Sequence, residues 1–267
     1  MNKDNEGNPM DLNDKVVIVT GAGSGVGRAL ALEFAEQGAR VVCAARRIER
    51  IEETAEAIEA KGGTALAVPT DVTDMGQVNR MVSRSLESFG RIDVLFNNAG
   101  SFGALGPVWE VDPGLWWNDV TVNLRGTMLC CRAALAHMLE RDSGILINMS
   151  GGNQIAGGTG YSASKVAVIR FTELLARELE HEGSSVLAFI MGPGFVRTEM
   201  TELQIETAEG RKWLPSSKQA VEQGRNRPPE DCARASAKLI RVACPELNGM
   251  TFGPDTDFDD VLAGRRS

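Results

Sequence analysis

Val16-Val17-Ile18-Val19-Thr20-Gly21-Ala22-Gly23-Ser24-Gly25-Val26-Gly27 is the stretch on which the fold of this chain turns. Its β-branched start reads as a short buried strand, and the glycines that follow allow a tight turn with close backbone approach. Beyond them Ala29, Leu30, Leu32, Phe34 and Ala35 recur at helical spacing over residues 28–37, closed by Gly38. Strand, glycine turn and helix in that order aim backbone N–H groups at an anion such as a pyrophosphate. The loop lacks a Gly-Lys-Ser/Thr ending, which disfavours a Walker-type triphosphate site.

Working outward, the same alternation repeats. Strands are predicted over 40–44, 65–68, 92–96, 145–149, 186–190 and 250–252, with helices over 47–61, 75–89, 115–139, 161–180 and 229–242. Strand-helix-strand crossovers are almost always right-handed, so the prediction is a Rossmann-type, doubly wound α/β fold. It has one seven-stranded parallel sheet, helices on both faces and a ligand crevice at the carboxyl ends of the strands. Irregular stretches are expected at 101–114 and 192–227, the candidate substrate loops. Glu49, Glu52, Glu53, Glu56 and Glu59 fall at helical spacing and read as a solvated face rather than an acidic site.

The 267 residues are 43% hydrophobic and 24% charged, enough apolar material for one core; residues 1–12 read as a loose polar tail and 13–267 as one domain. A net charge of -8 offers no field to attract nucleic acid or anionic lipid, and no apolar run approaches membrane-spanning length. A small-molecule partner and a cytoplasmic setting are expected. Cys43, Cys130, Cys131, Cys232 and Cys244 show no CxxC spacing, and with His137 and His181 the only histidines no metal site is expected.

Tyr161-Ser162-Ala163-Ser164-Lys165 opens a predicted helix, and a spacing of four puts phenol and ammonium on one face. Two charges 4 Å apart interact by roughly 4 kcal/mol at an effective dielectric of 20, about three pKa units. Lys165 is therefore expected to lower the pKa of Tyr161 toward the working range of a general acid/base.

Thr20-Gly-x-x-x-Gly-x-Gly27, Asn97-Asn98-Ala99-Gly100, Asn123, Ser150, Tyr161-x-x-x-Lys165 and Pro193-Gly194, in this order, resemble the short-chain dehydrogenase/reductase family over about residues 12 to 253. The resemblance implies hydride transfer between a nicotinamide dinucleotide and a carbonyl or secondary alcohol, with Tyr161 as general acid/base. It implies that Gly21, Ser24, Gly25, Val26 and Gly27 lie under the pyrophosphate and that Asp71 and Val72 lie beside the adenine. Asn98, Ala99 and Gly100 would line the cofactor cleft. Lys165 would also hold the nicotinamide ribose, and Thr198, after Pro193, Gly194 and Val196, would contact the carboxamide. Asn123 matches the position that joins Lys165 to a proton-relay water. A catalytically idle cofactor-binding relative is the alternative.

Strand 40–44 ends at Ala45, where NAD-preferring members of the family carry an acidic residue, and Arg46-Arg47 follow. NADP(H) is therefore expected ahead of NAD(H). Ser150 stands one place before the usual carbonyl-orienting serine, and Gly151 takes the usual position. Ser150 is the candidate donor, with Asn153 and Thr159 as alternatives in the same loop. Phe102, Leu105, Trp109, Phe195, Met200, Leu203 and Trp213 suggest an apolar substrate wall, while Arg197, Lys212, Arg225 and Arg227 either meet an anion or, the favoured reading, are solvated. Helices 115–139 and 161–180 match those that pair between subunits in the family, so a homotetramer or dimer is expected.

Overall fold

The computed structural model describes residues 11–152 and 154–264. The predicted tail as far as residue 10, Asn153 and the Leu203 side chain lie outside that description. Seven strands form one sheet: β1 (Val16–Thr20), β2 (Arg40–Ala45), β3 (Thr64–Pro69), β4 (Val94–Asn97), β5 (Ile145–Met149), β6 (Leu187–Met191) and β7 (Thr251–Phe252). They pair in the order β3-β2-β1-β4-β5-β6-β7, every pair parallel.

The first half supplies α1 (Gly25–Glu36), α2 (Ile48–Glu59) and α3 (Met75–Phe89). Then come α4 (Pro113–Val120), α5 (Gly126–Glu140) and α6 (Thr159–His181). The last third holds α7 (Glu199–Glu206), α8 (Ala208–Trp213), α9 (Pro215–Glu222), α10 (Pro229–Val242) and α11 (Phe258–Ala263).

Side chains alternate across a strand, and a parallel sheet must be covered on both faces. Val17 and Val19 accordingly join Leu30 and Phe34 of α1, Ile51 of α2 and Leu239 of α10 in one core. Val16 and Ile18 join Met81 of α3, Met138 of α5 and Leu179 of α6 in the other. The chain leaves β1 for β2 on one side and reaches β4 on the other, so the crevice opens at the carboxyl ends of β1 and β4.

Two expectations need correcting. The predicted helix 115–139 is interrupted by a π turn over Thr121–Arg125, a geometry that accommodates an extra residue and often marks a functional site. Asn123 lies inside it. The stretch 192–227 is not irregular, because α7, α8 and α9 occupy much of it. Thr198 and Thr201 form a reciprocal cap at the start of α7, Thr207 accepts from the Gly210 N–H at 3.0 Å, and Pro215 opens α9.

Candidate active site

A continuous cleft of about 1490 Å³ runs along the strand ends from Arg46 to Trp213, roomier than the few hundred to about 1,000 Å³ of a single small-ligand pocket. At one end stands the glycine turn. A Cβ on Gly27 would lie 2.1 Å from the Gly21 carbonyl oxygen and 2.4 Å from Asn98 Nδ2, so α1 can approach the turn this closely only with glycine there. The backbone N–H groups of Asn98 and Ala99 both donate to Thr20 Oγ1, at 3.1 and 3.0 Å, and Asn98 Nδ2 donates to the Thr20 carbonyl at 2.9 Å. These bonds tie the Asn-Asn-Ala-Gly turn to the end of β1.

Ser24 caps α1 without a side-chain hydrogen bond, which leaves the first N–H groups of that helix for an anion. Val26, Asp71 and Val72 line the same cleft, with Asp71 Oδ1 accepting from the Thr73 N–H and hydroxyl at 2.9 and 2.8 Å. Ala45, Arg46, Arg47 and Arg50 line its far end, and Arg47 Nη2 is 3.1 Å from Glu199 Oε2. This cradle, an uncapped helix start and clustered guanidinium groups, fits a dinucleotide. Pro193, Gly194, Val196 and Thr198 form part of the wall. Thr198 stands over the turn, its Cγ2 3.0 Å from where a Cβ on Gly25 would be.

Tyr161 and Lys165 rise from the first turns of α6, both buried. The Tyr161 ring stacks under Phe102, with centroids 4.6 Å apart and planes at 20°. Lys165 Nζ donates to the Met149 carbonyl at 3.0 Å and is 5.7 Å from the Tyr161 ring centroid. The expected lowering of the phenol pKa is reversed. Burial first, and then the Asp119 carboxylate, push Tyr161 up to about 12, while burial pulls Lys165 down to about 8. Desolvation outweighs the attraction of an ammonium that is engaged with a carbonyl, which favours the neutral phenol.

Asn123 Nδ2 donates to the Ser101 carbonyl and to Ser164 Oγ, both at 2.9 Å, and its Oδ1 accepts from the Ser101 N–H at 2.8 Å. Asn123 Oδ1 and Lys165 Nζ flank Gly100, 3.2 and 3.7 Å from where its Cβ would stand. The relay candidates are thus brought together.

Ser150 lines the cleft, yet its N–H and Oγ both donate to the Met191 carbonyl, at 2.9 and 3.3 Å, turning the hydroxyl toward β6. The position next to it is filled differently: a Cβ on Gly151 would lie 2.2 Å from Tyr161 Oη. The tyrosine hydroxyl takes the space a side chain at 151 would need. Of the alternatives, Thr159 is exposed, accepts from Trp116 Nε1 at 3.0 Å and is not part of the cleft wall.

Among the predicted wall residues, Phe102, Phe195, Met200 and Trp213 line the cleft, and Leu105 packs behind Phe102. Trp109 does not; it is 76% exposed. Arg197 pairs with Glu202 at 2.7 Å, Arg227 with Asp255, and Arg225 donates to Gln223. Sequence reasoning missed Asp119, fully buried, which accepts from Ser101 Oγ and the Gly103 and Ala104 N–H groups at 2.7, 2.8 and 3.0 Å. It holds the loop that carries Phe102. No local pattern marks it, whereas the Thr198-x-x-Thr201 spacing was a usable sign of α7 and hence of Glu199.

Residues 15–209 match the family model for short chain dehydrogenases. A short chain dehydrogenase of Pseudocercospora fijiensis is 35% identical over 265 residues, covering 94% of this chain and 83% of that protein. The (2S)-[(R)-hydroxy(phenyl)methyl]succinyl-CoA dehydrogenase subunit of Thauera aromatica is 37% identical over 195 residues, covering 72% of this chain and 77% of its own. A solved structure of an actinorhodin polyketide ketoreductase variant with NADPH has a TM-score of 0.80 at 28% identity, covering 92% of this chain and 97% of that one. Sheet order, motif positions and these matches agree: the chain belongs to the short-chain dehydrogenase family and is an oxidoreductase built to use a nicotinamide cofactor.

Proposed function

We propose that this protein is an NADP(H)-dependent reductase of carbonyl compounds, with Tyr161 as the proton donor. The observation that carries the reading is a buried Tyr161 beside Lys165, in the same cleft as the Gly27 cradle and the Arg46, Arg47 and Arg50 cluster. When bound, NADPH supplies the hydride. Tyr161 Oη gives its proton to the carbonyl oxygen, a task for which a phenol kept protonated is suited. Lys165, whose pKa burial lowers, can return a proton toward Tyr161, and Asn123 stands beside the same path.

Arg46 and Arg47, with Ala45 in place of an acidic residue, support NADPH over NADH, because a guanidinium binds a phosphate through charge-assisted hydrogen bonds. NADPH should bind at least about tenfold more tightly than NADH, roughly 1.4 kcal/mol, and fluorescence titration of the two measures it. Tyr161→Phe should cut turnover at least about a hundredfold while NADPH binding persists. Tighter NADH binding would overturn the cofactor assignment, and retained turnover would overturn the role of Tyr161. Exposed Leu139 on α5 and Val166 and Leu174 on α6 support a homo-oligomer, dimer or tetramer, formed through those helices. Five free thiols go with a cytoplasmic setting.

A further inference from the structure

The cleft changes character at Tyr161. On the cofactor side it carries Arg46, Arg47 and Arg50. On the other side Ile155, Met200, Trp213 and Leu214 form an apolar wall, and its neutral polar members include Gln204 and Ser217, hydrogen-bonded to each other at 2.8 Å. Across residues 151–217 the charged members of the lining are Lys165, held by the Met149 carbonyl, and Glu199, paired with Arg47. Lys212 is exposed and lies over the Trp213 ring, Nζ 5.5 Å from its centroid, and is not part of the lining.

Among the described residues the one cation of that lining, Lys165, is directed at the Met149 carbonyl and the Tyr161 ring, and the carboxylate that acts on the same tyrosine is Asp119. Asp119 is fully buried behind Phe102, its described partners are a hydroxyl and two backbone N–H groups, and its charge acts on Tyr161. An anion brought against Ile155, Met200 and Trp213 would lose its hydration to apolar side chains, with the Lys165 ammonium already engaged at the Met149 carbonyl and with the Asp119 carboxylate acting on the same site. A neutral apolar group has the opposite balance, since it would cover the half-buried apolar surface of Ile155, Met200 and Trp213.

Resting on the reductase reading above, we infer that the substrate is an uncharged carbonyl compound whose ring-sized apolar group lies against Ile155, Met200 and Trp213. A carboxylate, sulfonate or phosphate within reach of that wall is excluded by charge, not by size.

The test uses a matched pair, 4-acetylbenzamide and 4-acetylbenzoate, which have nearly the same shape and differ in charge. With NADPH-loaded protein, kcat/KM for the amide should exceed that for the carboxylate at least thirtyfold, mostly through KM, and only the amide should perturb bound NADPH fluorescence at millimolar concentration. Gln204→Arg, which adds a cation to the wall, should narrow the ratio at least fivefold by improving the carboxylate. Equal kcat/KM for the pair, a preference for the carboxylate, or failure of both to bind would overturn the inference. Amide binding without NADPH oxidation would leave the charge rule standing and break the reductase reading instead.

Discussion

The two ends of the cleft are built by different means. The cofactor end is made from strand termini and backbone: Gly27 packs on the Gly21 carbonyl, and Asn98 and Ala99 hang from Thr20. The end proposed to take the substrate is made from side chains on α6, on the loop carrying Phe102 and on the short helices α7 to α9. Where backbone meets backbone only one residue type fits, whereas a wall of side chains accepts many combinations of similar volume. The first end is therefore fixed by steric necessity and the second is free to define a substrate.

Gly151 breaks that division, because a backbone-like constraint falls at the substrate end. Gly151→Ser would restore the serine found there in the family, yet its Cβ would stand 2.2 Å from Tyr161 Oη. The hydroxyl must move, and a displacement of about 1 Å at the reacting atom can cost about a hundredfold. We expect kcat/KM to fall at least about a hundredfold, with NADPH affinity changed less than about threefold. A gain in activity would show that Tyr161 has room to yield and that the two ends differ less than described.

The same contrast explains what was legible in the sequence. The strand and glycine pattern from Val16 to Gly27 led directly to the sheet and the cradle, since β-branched runs and obligatory glycines are local signals. The placement of Tyr161 and Lys165 together at the start of a helix was legible through their spacing. The sign of the Tyr161 shift was not, because burial by Phe102 and the charge of Asp119 come from elements distant in the chain. Helices α7 to α9 were hidden by polar composition, for α9 buries none of its residues and its signs lie in caps rather than in an apolar stripe. The π turn at Asn123 likewise leaves no trace in a hydrophobic pattern that reads as one helix.

At the seam between the two ends, Lys165 sharpens the comparison by showing what the chemistry costs the fold. Its folded pKa, about 8, lies below the ordinary 10.5. Between those values the unfolded chain holds a proton that the folded chain does not, so stability rises with pH across that window; below about 8 the full penalty is present. The shift corresponds to about 3 kcal/mol. Lys165→Met keeps the stem and removes the charge. It should abolish turnover yet stabilise the cofactor-free protein at pH 7 by up to about 3 kcal/mol, a gain that shrinks toward pH 10. Urea unfolding at the two pH values reads it, and an unstable variant at pH 7 would mean that the ammonium contributes to the fold through its bond to Met149. Measurements should stop near pH 10, above which the raised Tyr161 pKa makes stability fall.

The smallest expected effect lies where the ends touch, at the ion pair between Arg47 and Glu199, 54% and 62% exposed and 152 residues apart in sequence. Such a pair contributes about 0 to 1 kcal/mol in water, and salt screens it. Its weight falls on selectivity, because the guanidinium that would meet a 2'-phosphate is shared with a carboxylate from α7. Glu199→Gln keeps the shape and releases Arg47. NADPH affinity should then rise, by no more than about fivefold, the factor that 1 kcal/mol allows, while NADH affinity stays constant. The gain should shrink as salt is raised, since both the lost pair and the new phosphate contact are screened. An equal gain for NADH would mean that Glu199 acts on the shape of the cleft rather than on the charge available to the phosphate. A loss of NADPH affinity would mean that the pair instead holds α7 over the cofactor, joining the two ends into one cooperative site.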